Sequence, residues 1–515
     1  MKTRILALGL LAALLASPVA AAQPSKPESR RLTRQALDDK IRGGWAGQMI
    51  GVSYGAPTEF RAQGKIIEEE LKWTPDRVSN SIHQDDLYVE MTFAAVMDKT
   101  GLNATIEQYG EAFKDSKYSL WHANAAGRHN LNRGLKAPLS GHPKYNLHAN
   151  DIDFQIEADF IGLMTPGLPR VSNQFCDRVG RVMNYGDGVY GGMFVCGMYS
   201  AAFFENDVRK ITEAGLACIP AQSEYAKLIR NLLDWSALYP SDWRKVWQMI
   251  EEKWDKDDPC PDGALSTFNI DAKLNGAYIA FGLLYGQGDF LKTMEISTRC
   301  GQDSDCNPSS AAGVLGVMLG YHKIPDEFKS GIAKIADTKF EFTDYSFNEI
   351  VKSTEARALK LIERAGGKVT DTEVLIPAQT PQPPELEQWN PGIPDKKMAA
   401  KDPAWTWSAN WTDNKGALTS SSAGNAATLK FNGVAVAVIG RLTQDGGRAD
   451  VYLDGQKVDV LDAYIVERTH DNALWHTYGL KPGEHTLKIV TIAEADPRSK
   501  GHNVTIERAV VYRAR

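Results

Sequence analysis

The chain has 515 residues, 43% of them hydrophobic and 24% charged, which is enough apolar content for two to four packed domains. Its 58 basic and 64 acidic side chains leave a formal net charge of −6. There is no basic excess for nucleic acid to exploit, so no nucleic-acid partner is expected.

Residues 1–22 read as a signal peptide. Lys2 and Arg4 precede the apolar run ILALGLLAALLASPVA, and Ala20, Ala21 and Ala22 supply small residues for cleavage before Gln23. The run is short for a membrane span, so the expected product is exported, periplasmic or secreted. Residues 23–35 read as a polar linker. Over 36–372 the pattern is helical: Leu37, Ile41, Trp45 and Met49 recur every four residues, and strand-like alternation is scarce. Gly43, Gly47, Gly51 and Gly55 recur in the same step on a neighbouring face. Each costs a helix about 1 kcal/mol, so four in one register imply close approach of another backbone or of a ligand. Residues 373–400, with TPQPPELEQWNPGIPDKK at their centre, read as a Pro-rich linker. Over 401–515, AATLKFNGVAVAVIG and NVTIERAVVYRA alternate with period two, and Asp454-Gly455 reads as a two-residue hairpin turn. The fold class is therefore multidomain: an all-α domain followed by a small all-β sandwich.

Two acidic motifs carry the chemistry. In CGQDSDCNPSS (300–310), Asp303 and Asp305 can share a hard cation through oxygen ligands. Alternatively, Ser304, Asp305 or Asn307 caps a helix beginning near Pro308. An EF-hand loop is excluded, because its sixth position is Pro308 and its twelfth is Val314. The second motif, Gln84-Asp85-Asp86, precedes an amphipathic stretch. Adjacent carboxylates repel, and a helix N-terminus offsets only part of that cost. A shared cation would remove it, whereas capping needs one Asp only. Of the six cysteines, Cys300 and Cys306 are the closest-spaced candidates for a bridge in an oxidising compartment. The alternative for each is a small buried hydrophobe, as expected for Cys196.

Between the motifs lies a polar block containing His122, Asn124, Arg128, Asn130, His142, Asn146 and His148, then alternating Asp151, Asp153, Gln155, Glu157 and Asp159. Acids at period two would scatter around a helix, so part of this block is expected to be extended or turning. Trp121, Phe154 and Phe160 are interleaved, which favours a substrate-lined cleft over a solvated loop. His122, Asn124, His148, Asp153 and Glu157 are the candidate substrate-binding residues. Asp187, in the glycine-rich NYGDGVYGG, joins them as part of a turn whose amides could meet an anion or a sugar oxygen. A tight structural turn is the other reading of that segment.

A glycine-patterned first helix ending in GAPTEF, an Asp-Asp pair opening a helix, and a late G-x-D-x-D followed by small residues resemble the ADP-ribosylglycohydrolase family over about residues 36–365. The resemblance implies an all-α domain holding two divalent ions, usually magnesium, in a cleft. It implies hydrolysis of an N- or O-glycosidic bond at the anomeric carbon of an ADP-ribosyl group. Carried over by position, Gln84, Asp85, Asp86, Asp303 and Asp305 become the metal-ligand candidates, and Glu59 the acidic residue beside them. Glu59, Asp85 and Asp303 are then the catalytic candidates. Gln84 stands where the family has Thr, Cys306 where it has Thr or Ser, and GVSYG (51–55) where it has GDALG. A thiol does not suit magnesium, which keeps calcium, manganese and zinc in view. The C-terminal part resembles jelly-roll, galactose-binding-like modules of exported glycan-active enzymes, through VAVIG, GGRADVYLDG, LWHTYGLKPGEHTLKIV and IERAVVY. There Trp475, Tyr464 and His476 would offer stacking and polar contacts. The expected function is a metal-dependent glycoside hydrolase acting on a furanosyl or ribosyl bond of a carbohydrate or nucleoside-like substrate. A true ADP-ribosyl hydrolase and a catalytically silent glycan-binding protein are the alternatives.

Overall fold

Two helices that carry the glycine stripe and the late aspartate motif form the axis of the N-terminal domain. The computed structural model describes residues 29–255, 258–466 and 472–515; the signal-peptide reading of residues 1–22 lies outside them. The first helix, Arg34–Gly55, starts at Thr33, whose hydroxyl accepts a hydrogen bond from the Ala36 amide at 3.0 Å. Leu37, Ile41, Trp45 and Met49 are all buried along it. The glycine stripe lies against the helix Cys306–Leu319, running antiparallel. A Cβ on Gly43, Gly47, Gly51 or Gly55 would lie 2.0–2.3 Å from a carbonyl oxygen of Gly316, Ala312, Pro308 or Ser304 respectively. Only hydrogen fits there, which is the reason for the stripe. The late helix starts at Cys306 rather than near Pro308.

Around this pair pack further helices, of which Asp187–Ala202 and Ala272–Gly286 are buried on nearly every side, as their uniformly apolar sequences require. The last long helix, Phe347–Arg364, opens with a reciprocal cap between Ser346 and Glu349. None of the described helices is long and apolar enough to cross a membrane.

Both linker assignments need correction. Ser29–Thr33 is a strand, pairing antiparallel with Glu373–Pro377, which pairs in turn with Lys368–Val369. The ends of the helical domain are thus tied by a small sheet. The Pro-rich segment that follows is fastened rather than free. Arg181 meets Glu387 at 2.9 Å, the Glu387 amide donates to Tyr190 Oη at 2.7 Å, and Trp389 Nε1 donates to Asn150 Oδ1 at 3.0 Å. Ile393–Ala399, also read as linker, is a strand paired with the last strand, Val504–Arg513.

The C-terminal domain packs a five-stranded antiparallel sheet against a six-stranded one. Asp454 and Gly455 both have positive φ and join Leu453 to Gln456 as a two-residue hairpin loop. Of the strand Ala435–Arg441, residues 435–440 are apolar because both faces are covered there. Val436 and Val438 face the sandwich core, while Ala435, Ala437 and Ile439 face Leu147 and Ala264 of the helical domain. Trp475, Tyr464 and His476 do not form an open sugar platform. Trp475 and Tyr464 are buried, and His476 Nε2 lies 2.6 Å from the Pro143 carbonyl at the junction with the helical domain.

Candidate active site

The N-terminal ends of three helices, Asp85–Thr100, His122–Asn132 and Cys306–Leu319, open onto one cavity of about 700 Å³. Glu59, Gln84, Asp85, His122, Asn124, His148, Asp153, Asp303 and Cys306 line it. Asp86 and Asp305 sit behind that lining, 0% and 2% exposed. Residues 240 or more positions apart are joined by the loop that follows the first helix. Phe60 N donates to Gln302 O at 3.0 Å, Gln302 N donates to Ala62 O at 2.8 Å, and the Thr58 and Ser304 hydroxyls are 2.8 Å apart. This ladder sets Glu59 beside Asp303 and Asp305. Phe60, His122 and Gln302 all adopt left-handed backbone around the cavity, a conformation that costs a non-glycine residue energy and is tolerated where neighbours fix it.

Helix capping does not explain the aspartates. Neither the helix at Asp85 nor the one at Cys306 has a side-chain capping hydrogen bond. Both carboxylate oxygens of Asp86 and both of Asp303 are buried without any hydrogen bond. Burial pushes the carboxyls of Asp85, Asp86, Asp303 and Asp305 up. The charge of Asp85 adds to this at Asp86, that of Asp305 at Asp303, and that of Asp86 at Asp305, which reaches about 7. Buried carboxylates left unpaired in this way are costly unless a cation joins them. Ligand atoms of Asp85, Asp86 and Cys306 lie within 4.8 Å of one another, as do those of Asp303, Asp305 and Cys306. Two oxygens on one divalent ion lie at most about 5 Å apart, so both groups fit such an ion.

Cys306 is shared by the two groups. It is buried and unbridged, as are the other five cysteines, so no Cys300–Cys306 disulfide forms. Burial, then the surrounding aspartates, push its thiol well up. Glu59 stands at the cavity mouth. The low-polarity walls, then Asp305 and Asp85, raise its carboxyl to about 8, although its side chain is exposed enough for water to screen part of that effect.

The polar block is not a solvated loop; part of it turns, as expected, and Asp151 forms a β-bridge with Asp271. It folds as the helix His122–Asn132, turns, and the short helices Asp153–Ile156 and Asp159–Met164. Asp153 accepts hydrogen bonds from the Ala123 and Asn124 amides at 3.1 and 3.0 Å, so it caps the helix carrying His122. Glu157 is fully buried beneath the lining and accepts from Asn124 Nδ2. Asn130 and Asn146 hold backbone carbonyls and do not face the cavity. Asp187 is the one candidate the fold takes elsewhere. It lines a separate cavity of about 430 Å³ with Lys273 and Trp389, and accepts from the Tyr225 amide at 3.3 Å.

Trp121, read from the sequence as an aromatic of the cleft, is 51% exposed and lines the cavity. Three further features of the lining were not read from the sequence. Phe60 and Phe268, ring centroids 5.1 Å apart, supply aromatic faces. Asp262 comes from the segment DPCPDG (258–263), where Asp258, Cys260 and Asp262 alternate, the one signal that could have marked that loop. Arg508 comes from the sandwich, 3.7 Å from Asp262, so the second domain completes the wall.

The family model for ADP-ribosylglycohydrolase matches residues 33–362, about two thirds of the sequence. The chain belongs to the ADP-ribosylglycohydrolase family. The aspartate groups therefore lie inside the matched family domain. A 102-residue stretch is 32% identical to "A type blood alpha-D-galactosamine galactosaminidase" from Flavonifractor plautii, spanning 18% of this chain and 9% of that protein. Among solved structures, an "ADP-ribosylglycohydrolase-related protein complex" aligns at 13% identity and TM-score 0.40, covering 63% of this chain and 98% of its own. A family two carbohydrate esterase from Cellvibrio japonicus aligns at 17% identity and TM-score 0.19, covering 22% of this chain and 32% of its own.

Proposed function

We propose that this protein is an exported, metal-dependent glycoside hydrolase that cleaves an N- or O-glycosidic bond to a furanosyl or ribosyl sugar. The observation that carries the reading is the set of buried, unpartnered aspartate oxygens behind a cavity lined by aromatic rings and hydroxyl-binding side chains. Asp85, Asp86, Asp303 and Asp305, with the Gln84 carbonyl, would hold two divalent cations. Bound there, such cations would supply positive charge beside the scissile bond and orient sugar hydroxyls.

The protein's own groups would do the rest. Trp121 and Phe268 offer faces against which a sugar ring can stack. His122, Asn124 and His148 offer polar atoms to its hydroxyls. Glu59, at the mouth beside the cluster, would accept a proton from the attacking water at its carboxylate, once cations bound at the neighbouring aspartates offset the charges that raise it. The stretch shared with a galactosaminidase supports a glycan as the wider substrate class. Magnesium is the ion the family resemblance implies, and calcium and manganese suit the same oxygen ligands; the thiol at Cys306 favours zinc.

Screening aryl furanosides and ADP-ribosyl peptides with and without EDTA tests the reading. Chelator-sensitive turnover of a furanoside supports it, and turnover of the ADP-ribosyl peptide alone would move the assignment to a true ADP-ribosyl hydrolase. Absence of turnover on both, with intact glycan binding, would replace it with a silent glycan-binding protein.

A further inference from the structure

A second cluster of ligand-type atoms lies beside the cavity and shares no residue with the aspartate groups. His122, His148, Asp151 and Cys260 each bring one ligand atom within 4.8 Å of the other three. His148 Nδ1 is 2.8 Å from Asp151 Oδ2 and 3.3 Å from Cys260 Sγ, and Cys260 Sγ is 3.3 Å from Asp151 Oδ2. His122 Nδ1 is 3.9 Å from Asp151 Oδ2 and 3.5 Å from Asp262 Oδ2, the residue that also faces Arg508.

This is not the layout of a Cys-His-Asp relay. A relay sets the nucleophile and the carboxylate on opposite nitrogens of the imidazole, so that a proton passes through the ring. Here Asp151 and Cys260 both face the same nitrogen, Nδ1 of His148. Cys260 is also 1% exposed and is not part of the cavity lining, so no substrate reaches it. Four atoms converging on one point are instead what a tetrahedral ion requires. With bonds of about 2.0–2.3 Å, its ligand atoms lie about 3.3–3.8 Å apart, close to the separations found.

We propose that His122, His148, Asp151 and Cys260 form a closed metal centre for a borderline cation of the zinc type. Two imidazoles and a thiolate select zinc or cobalt over magnesium or calcium, which prefer oxygen alone. Four protein ligands leave no open position, so the centre is structural. It ties together three segments: the start of the helix His122–Asn132, the turn 148–151, and the loop around Cys260. The sandwich holds that loop from outside. Tyr512 Oη donates to the Pro259 carbonyl at 2.8 Å, and Arg508 faces Asp262. The ion would fix the wall that presents His122 and His148 to the cavity, and couple that wall to the second domain.

The test uses the full chain, stripped with chelator and titrated with Co2+. A thiolate on cobalt gives a near-ultraviolet charge-transfer band that oxygen ligands do not. One equivalent of Co2+ should raise that band in wild type and in Cys306→Ser, and Zn2+ should abolish it. Cys260→Ser should lack it. The drop in ion affinity should exceed the about 10–100-fold that an outer hydrogen-bond partner is worth. In case Cys260→Ser does not fold, the melting temperature of the Asp85→Asn/Asp303→Asn protein provides a second reading. It should rise on adding Zn2+. No band in wild type, a band that follows Cys306 instead of Cys260, or no Zn2+-dependent shift in the double variant would overturn the proposal.

Discussion

Gly55→Ala would disturb the aspartate cluster without touching a ligand. The new Cβ would lie 2.0 Å from the Ser304 carbonyl oxygen and 2.5 Å from Asp305 Cα. Real Cβ atoms essentially never come closer than 3.0 Å, so the turn carrying Asp303 and Asp305 must retreat by about 1.0 Å (3.0 − 2.0). Alanine favours the helix by about 1 kcal/mol, and overpacking costs about 1–3 kcal/mol, so net destabilisation is at most about 2 kcal/mol. Metal sites tolerate only about 0.2 Å in ligand distance, so binding suffers more than folding. The comparison is Gly47→Ala, whose Cβ meets Ala312 O at 2.1 Å, two helical turns from the cluster. Calorimetric titration with Mg2+ or Mn2+, alongside thermal melts, should show similar losses of stability. Affinity should fall at least about tenfold in Gly55→Ala only. A folded Gly55→Ala protein that binds these ions as tightly as wild type would refute the link between stripe and cluster.

Other expectations follow from the same geometry. Asp303→Asn should raise the melting temperature in chelator, because it removes a buried carboxyl crowded by Asp305, Glu59 and Asp86; with divalent ion present the order should invert. Glu59→Gln should keep ion binding and lower turnover by about 10²–10⁴-fold, the usual worth of a positioned base. Asp159 lies buried beside Glu90, and burial raises its carboxyl to about 8. The folded state keeps a proton that the unfolded chain releases above about pH 4. This contribution is complete below about pH 4 and is lost as pH rises through about 8. Asp159→Asn should therefore flatten the decline in melting temperature over that window, and an unchanged slope would count against it.

Much of the site was legible because its signals are local. The glycine step, the Asp85-Asp86 pair and the Asp303-x-Asp305 spacing each reflect a backbone contact or a charge conflict within a few residues. What the sequence hid is set by distant partners. Ser29–Thr33 looks polar and loop-like, yet becomes a strand because Glu373–Pro377 lies beside it. Asp187 follows a glycine-rich turn of the right kind, but the helix it begins points it into another cavity. Arg508 reaches the region only from the second domain, which no local pattern announces. Asp153 and Glu157 were legible as acids of the cleft and candidate substrate-binding residues, but not their contacts, which cap one helix and hold Asn124.

The central claim is that the four aspartates exist to hold cations. Counting bound divalent ions by mass spectrometry on the full chain, wild type against Asp85→Asn/Asp303→Asn, tests it most directly. The account predicts two more ions per chain in wild type, removed together with hydrolysis by EDTA. Equal ion counts in the two folded proteins would contradict it.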